Sequence, residues 1–266
     1  MPEGDTLFRA ALRLQPLVGH PALRVNGSAR AMQAWCGRLQ GRTIEGVESR
    51  GKHLLVHFAG DLSVRTHLGM TGQWHLYRTG DRWRKTAGKA RVVIESTDHV
   101  GVCFAAPDVS AGPRPALEAE ISHLGPDLLA DEFDPAVAAL RADQSQVETV
   151  ADLLLDQRVM AGVGNVFKSE VLFLERLHPR TPVGDLDADR IESLAARARK
   201  LLWANRDRDT RNTTGYGRHA DLWVYGRHRR PCRRCGTNIE HEEVGERVTY
   251  WCPRCQSSPP AEPSVP

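Results

Sequence analysis

The chain has 266 residues, 41% of them hydrophobic and 26% charged, with a formal net charge of +3; this is the mix of a globular protein with room for one large domain or two smaller ones. No apolar run approaches the ~20 residues that span a bilayer and no basic-then-apolar leader opens the chain, so no membrane span or secretory signal is expected, and the cytoplasm is the expected compartment. Six cysteines, four of them in two close pairs, suit metal ligation in a reducing compartment better than a disulfide framework.

The chain opens Met1-Pro2-Glu3-Gly4-Asp5-Thr6. Removal of Met1, favoured by a small second residue, would leave a secondary amine at Pro2. An α-amine titrates at about pH 8, so part of it is nucleophilic near neutrality. Attack on a sugar aldehyde carbon gives an iminium, an electron sink that needs no further protonation. Glu3 stands beside it as a general acid or base. Leu7, Ala10, Ala11, Leu14 and Leu17 recur at helical spacing, so a helix is expected over 6–18, capped by Thr6 or Asp5. Its dipole would lower the pKa of an amine held just ahead of it.

From 43 to 104 the pattern changes to short apolar runs broken by turns, with strands expected at 44–47, 53–58, 62–68, 74–77, 91–95 and 101–104. Such spacing suits a β-sandwich or barrel. Ala59-Gly60-Asp61 reads as a hairpin turn. Arg50-Gly51-Lys52 sets a lysine at the start of a strand, where it could be an acid, a base or a phosphate contact. His67-Leu68-Gly69-Met70-Thr71-Gly72 carries one large apolar residue on a glycine-flanked turn; Met70 either fills the core or inserts into a base stack. Residues 107–115, rich in Pro, Gly and Ala, read as a loop. Cys36 and Cys103 read as buried small apolar residues.

A domain boundary is expected at 124–131, and helices at 135–141, 147–160, 166–176 and 189–205. Ala161-Gly162-Val163-Gly164-Asn165 joins two of them like a helix-turn-helix device, whose second N-terminus can receive a phosphate. Residues 206–218 read as a mobile loop. Nine arginines fall between Arg206 and Arg234, a block suited to a phosphate backbone. Cys232-x2-Cys235 and Cys252-x2-Cys255, separated by sixteen residues, match a four-thiolate structural zinc site on a β-hairpin. Arg247, on the returning strand, would be held against a phosphate by it.

Taken together, Pro2-Glu3-Gly4, Arg50-Gly51-Lys52-His53-Leu54, Leu154-Leu155-Asp156-Gln157 running into Ala161-Gly162-Val163-Gly164-Asn165, and Tyr250-Trp251-Cys252-Pro253-Arg254-Cys255-Gln256 resemble the formamidopyrimidine-DNA glycosylase and endonuclease VIII family, over roughly residues 2 to 256 and closest to the endonuclease VIII branch. The resemblance implies an α+β fold: an N-terminal β-sandwich with a helix (2–125), a helix-two-turn-helix DNA-binding domain (131–225), a four-cysteine zinc-finger hairpin (226–257) and a disordered tail (258–266). It implies a bifunctional DNA glycosylase and AP lyase of base-excision repair, acting on oxidised bases, with pyrimidines favoured. Pro2 would attack C1′ of a flipped-out nucleotide and Glu3 would assist base loss and ring opening. Lys52 would donate a proton in β-elimination, and Arg247 would assist δ-elimination. His67, Asn165 and Arg247 would grip phosphates, Met70 would fill the gap in the helix, and Cys232, Cys235, Cys252 and Cys255 would hold one structural Zn2+. The expected partner is damaged DNA and no membrane, with a monomer associated with the nucleoid. Gly69 and Thr71 beside Met70 leave a reduced wedge, and the stretch 103–117 offers no other void-filling residue, so activity on single-stranded or forked DNA is also expected. A catalytically silent DNA-damage sensor is the competing reading, but it gives no reason to keep Pro2, Glu3 and Lys52 together.

Overall fold

The computed structural model describes residues 2–216, 221–244 and 247–257. The expected disordered tail lies outside them, as do Arg218 of the arginine block and Gly245 and Glu246 of the hairpin. The chain divides into two compact units, Met1–His123 and Leu124–Pro266.

The first unit begins with α1 (Gly4–Leu14) and a 3-10 turn at Gln15–Leu17. The N-cap is Glu3, in extended conformation, rather than the expected Asp5 or Thr6, which are already inside the helix. Next come β1 (Arg24–Gly27), α2 (Arg30–Gln33) and α3 (Cys36–Leu39), short elements that the sequence reading omits. Then follow β2 (Ile44–Arg50), β3 (His53–Phe58), β4 (Leu62–His67), β5 (Gln73–Arg78), β6 (Ala90–Glu95), β7 (His99–Phe104) and β8 (Asp108–Pro113), and α4 (Arg114–Glu120). The strands make two antiparallel four-stranded sheets, ordered β2-β3-β4-β8 and β1-β6-β7-β5.

Period-two patterning explains the sandwich. Leu54, Val56, Phe58, Leu62, Val64, Val109 and Ala111 of the first sheet share one core with Trp74, Val92, Ile94 and Cys103 of the second. Leu7, Ala10, Ala11, Leu14 and Leu17 join it from α1 and its turn. A Cβ on Gly101 would stand 2.8 Å from Leu17 Cδ1, so glycine lets this turn approach the sheet. The stretch expected as a loop at 107–115 is instead the edge strand β8 running into α4. Pro113 is tolerated at the end of β8 because this edge strand pairs only with β4, and Pro115 is tolerated in the first turn of α4. The other face of the first sheet is mostly polar: His53, His57, Ser63, Arg65, His67, Asp108 and Ser110 lie on it by strand alternation, with the buried Leu55 opposite Arg65.

The second unit contains α5 (Pro135–Asp143), α6 (Val150–Leu155), α7 (Asn165–Leu174), α8 (Ala188–Asn205) and the hairpin β9 (Glu240–Val244) and β10 (Arg247–Trp251). The helix expected at 147–160 is only six residues long. Thr149 caps it by accepting from Asp152 N, and Asp156 turns extended to end it. Val159 to Phe173 is a continuously buried stretch that includes the turn as well as α7, so its hydrophobicity extends the apolar pattern past the helix end. The zinc-finger hairpin shares a core with α7, through Phe173, Val224, Cys232, Ile239 and Cys252. Among the described residues no helix is long and apolar enough to cross a membrane.

Candidate active site and nucleic-acid interface

In the first unit the expected site residues come from the ends and turns of elements. Pro2 is half-buried immediately ahead of α1, and Glu3, at its N-cap, is 0% exposed. Lys52 lies not in a strand but in the two-residue Gly51-Lys52 turn between β2 and β3, where Arg50 pairs with His53 and Gly51 takes a φ of +56°. His67, at the end of β4, pairs directly with His53, their ring centroids 5.1 Å apart. Its Nδ1 accepts from Gly69 N at 3.3 Å. Burial lowers the His67 pKa below the ordinary histidine value, and the neighbouring Lys52 ammonium lowers it further. Thus the strand register brings Lys52, His53 and His67 together.

Met70 sits at the tip of the turn that follows. It is 66% exposed and does not fill the core. The turn is fixed by glycines: a Cβ on Gly69 would stand 2.7 Å from Pro107 Cγ, and one on Gly72 would stand 2.3 Å from Leu68 O. An unbranched apolar side chain held out on a rigid turn can enter a gap between stacked bases.

In the second unit Gln157 organises the glycine turn. Its amide nitrogen donates to Leu155 O at 2.8 Å and Val163 O at 3.0 Å, and its oxygen accepts from Gly162 N at 3.0 Å. Gly162 takes a φ of +113°, which favours glycine. The turn delivers Asn165 to the first position of α7. Asn165 Nδ2 donates to Val248 O at 2.6 Å, so this amide is bonded to the strand that carries Arg247. Three residues on, Lys168 Nζ donates to Thr249 Oγ1 at 2.6 Å. Arg247 is exposed at the start of β10. The expected site residues Asn165 and Arg247 are therefore joined through the hairpin backbone.

The Sγ atoms of Cys232, Cys235, Cys252 and Cys255 all lie within 4.8 Å of one another. Four converging thiols suit one tetrahedral zinc ion, and with every position filled by sulfur the ion orders the hairpin and leaves no place for a catalytic water. Gln256 closes the unit: its side chain accepts from Cys252 N at 2.9 Å and donates to Leu177 O at 2.8 Å.

Sequence reasoning misses two groups. One is Glu170, a fully buried carboxylate on α7 that accepts from the backbone N–H of Trp223, Val224 and Tyr225 at 2.8 to 2.9 Å and from the Thr213 hydroxyl. Burial raises its pKa, and these four donors pull it back. A glutamate amid Val166, Phe167, Val171, Leu172 and Phe173 is the signal that could have found it. The other is Arg65 with His53, on the polar face of the first sheet. The arginine block also looks different in place. Arg206 stacks on Trp203, Arg234 on Phe173 and Arg211 on Phe167, while Arg233 pairs with Asp221 and Arg227 donates to Trp223 O. Much of that charge secures the fold, whereas Arg229 and Arg230 are exposed.

Three family models match the chain: the formamidopyrimidine-DNA glycosylase N-terminal domain over residues 1–107, the formamidopyrimidine-DNA glycosylase H2TH domain over 124–214, and a zinc finger found in FPG and IleRS over 230–257. The chain is 43% identical to a probable endonuclease 8 2 of Streptomyces coelicolor, the match covering 99% of this chain and 96% of that protein. It is 41% identical to the DNA-(apurinic or apyrimidinic site) lyase Nei2 of Mycolicibacterium smegmatis, over 97% of this chain and all (100%) of that one. The fold resembles that of the Lactococcus lactis protein FPG, solved in complex with DNA containing an abasic site. That likeness has a TM-score of 0.81 at 23% identity, covering 96% of this chain and 100% of that one, and speaks to fold alone.

Proposed function

The chain belongs to the formamidopyrimidine-DNA glycosylase and endonuclease VIII family of DNA-repair glycosylases and AP lyases, and from that premise we propose that it removes oxidised pyrimidines through a Schiff base on Pro2. The Pro2 nitrogen attacks C1′ of an extruded nucleotide and the base leaves. Glu3 manages the proton that opens the sugar ring, giving an iminium between Pro2 and C1′. Loss of a C2′ proton to solvent turns the iminium into an enamine, whose returning electrons expel the 3′ phosphate as the C3′–O bond breaks, with Lys52 donating the proton that completes β-elimination. Loss of the 5′ phosphate, assisted by Arg247, completes δ-elimination. His67, Arg247 and the N-terminus of α7 at Asn165 hold the flanking phosphates. The base must leave the stack before C1′ can be reached, and Met70 fills the gap.

The observation that supports this reading most is the pair at the head of α1. Pro2 is half-buried just ahead of the N-terminus of α1, the positive end of the helix, and Glu3, screened from solvent, follows it directly. The test is borohydride trapping on an oligonucleotide with an abasic site or an oxidised pyrimidine. The expected result is a covalent complex mapping to the N-terminal peptide and absent from Pro2→Gly. DNA binding without any trapped complex would sink the proposal in favour of a silent damage sensor.

A further inference from the structure

Behind Lys52 and His67 lies a polar cluster to which the proposed chemistry gives no role. Arg65 is 7% exposed. Its guanidinium is forked between Asp108 Oδ2 at 2.9 Å and Glu120 Oε2 at 2.8 Å, and also donates to Ser110 Oγ at 3.2 Å. The same Nη1 that reaches Asp108 lies 3.2 Å from His53 Nδ1. A guanidinium can only donate, so His53 Nδ1 accepts, and a neutral His53 must carry its proton on Nε2. His67 is under the same constraint, because its Nδ1 accepts from Gly69 N. Two imidazoles of fixed tautomer thus lie side by side, beside Lys52.

The groups facing His53 are Arg65, His67, Asp108 and His123, with Lys52 adjacent in the chain and Glu120 bonded to the far side of Arg65. Asp108 and Glu120 would favour a proton on His53, and Arg65 sits between them and the ring as the compensating cation. A protonated His53 would repel Lys52 and compete with His67 for a phosphate. A His53 with its proton on Nδ1 would turn a donor against the guanidinium.

We infer that Arg65 is a positioning residue: by fixing His53 as its Nε2–H tautomer it sets a neutral ring against His67, and so holds the His67 Nε2–H in the direction from which a DNA phosphate is gripped beside Lys52. This rests on the reading of His67 as a phosphate ligand.

The test uses the full chain with zinc bound and 15N-labelled histidine. Long-range proton–nitrogen spectra should show Nε2–H tautomers for His53 and His67 in the wild type. In Arg65→Met, His53 should become protonated or move its proton to Nδ1, and the KM for abasic duplex should rise roughly ten-fold, the loss of about one charge-assisted hydrogen bond, while kcat changes much less. Arg65→Lys, which keeps a donor and a charge, should recover part of this. The double variant Arg65→Met/His53→Phe replaces the imidazole by a ring that cannot take a proton, and should bind abasic DNA better than Arg65→Met alone. A merely structural Arg65 would show no such rescue. An unchanged His53 tautomer in Arg65→Met, or a double variant no better than the single, overturns the inference. Failure of the wild type to trap on Pro2 would instead overturn the functional reading, and the tautomer spectra would still decide the Arg65–His53 coupling.

Discussion

Glu3 and His53 show how burial assigns work to a side chain that sequence alone leaves open. Glu3 is screened from solvent beside Pro2, where a carboxylate is useful for moving a proton and useless as a surface charge. Glu3→Gln should cut excision of an oxidised base by ~10²–10⁴-fold, the range of a lost general acid or base, yet leave nicking of a preformed abasic site measurable. Gel assays on the two substrates check this, and equal loss on both would remove the assigned role. His53 carries a pH dependence. Burial, reinforced by His67 and Arg65, lowers its pKa from 6.5 to about 4. Between those values the unfolded chain binds a proton that the native state refuses. Stability from this group is therefore full above about pH 6.5, and is lost as pH falls towards 4. The upper bound is roughly 3 kcal/mol, reduced by the ring's partial exposure. Denaturant midpoints at pH 7.5 and 4.5 should converge in His53→Phe relative to wild type; an unchanged gap would assign the acid sensitivity elsewhere. His53 was legible only as part of a motif. Its partnership with Arg65 depends on β3–β4 register across twelve residues, which no local pattern reports.

At the scale of elements, α7 is the piece on which the second unit is assembled. Its first residue bonds Val248, Lys168 bonds Thr249, Glu170 gathers the backbone of 223–225, and Phe173 stacks on Trp223. Most strands of the first unit were readable as short apolar runs between turns, because β3, β4 and β7 are buried along nearly their whole length. The short α6 was not, because buried coil and buried helix share the same composition, and β8 was hidden by Pro113 within it and Pro107 and Pro115 beside it. The zinc ligands were legible because four thiolates at two-residue spacing have few other uses. Two expected outcomes follow from the way α7 holds the hairpin. Chelating the metal should release β9 and β10, with hydrogen-exchange protection lost at 240–244 and 247–251 and kept in β3 and β4; uniform loss would contradict a local role. Glu170→Gln replaces an acceptor-only group by one whose NH2 faces N–H donors, and should cost about 2–4 kcal/mol in the unfolding of this unit with zinc still bound. A shift in stability of a few tenths would show that the four donors find other acceptors.

At the scale of the whole molecule, the proposed function makes the choice between duplex and single-stranded DNA depend on the means of replacing an extruded base. Extrusion from duplex leaves a gap whose neighbours must stay stacked, and unstacking costs a few kcal/mol; single-stranded DNA imposes little of this. The chain offers Met70 on its glycine turn, and from Phe104 to Leu117 no large apolar side chain is exposed. Ala105, Ala106 and Pro107 occupy the turn beyond β7, and the residues after them are committed to β8 and α4. One flexible wedge stabilises an intact duplex weakly, so the protein should excise an oxidised pyrimidine from single-stranded or forked DNA at least as fast as from matched duplex. Met70→Ala should then slow duplex excision by about ten-fold, as expected for a few lost apolar contacts, and leave the single-stranded rate nearly unchanged. Side-by-side single-turnover rates on the three substrates test both points. A strong duplex preference in the wild type would mean that residues other than Met70 close the gap, and equal losses on all substrates in Met70→Ala would mean that the methionine supports the turn rather than the DNA.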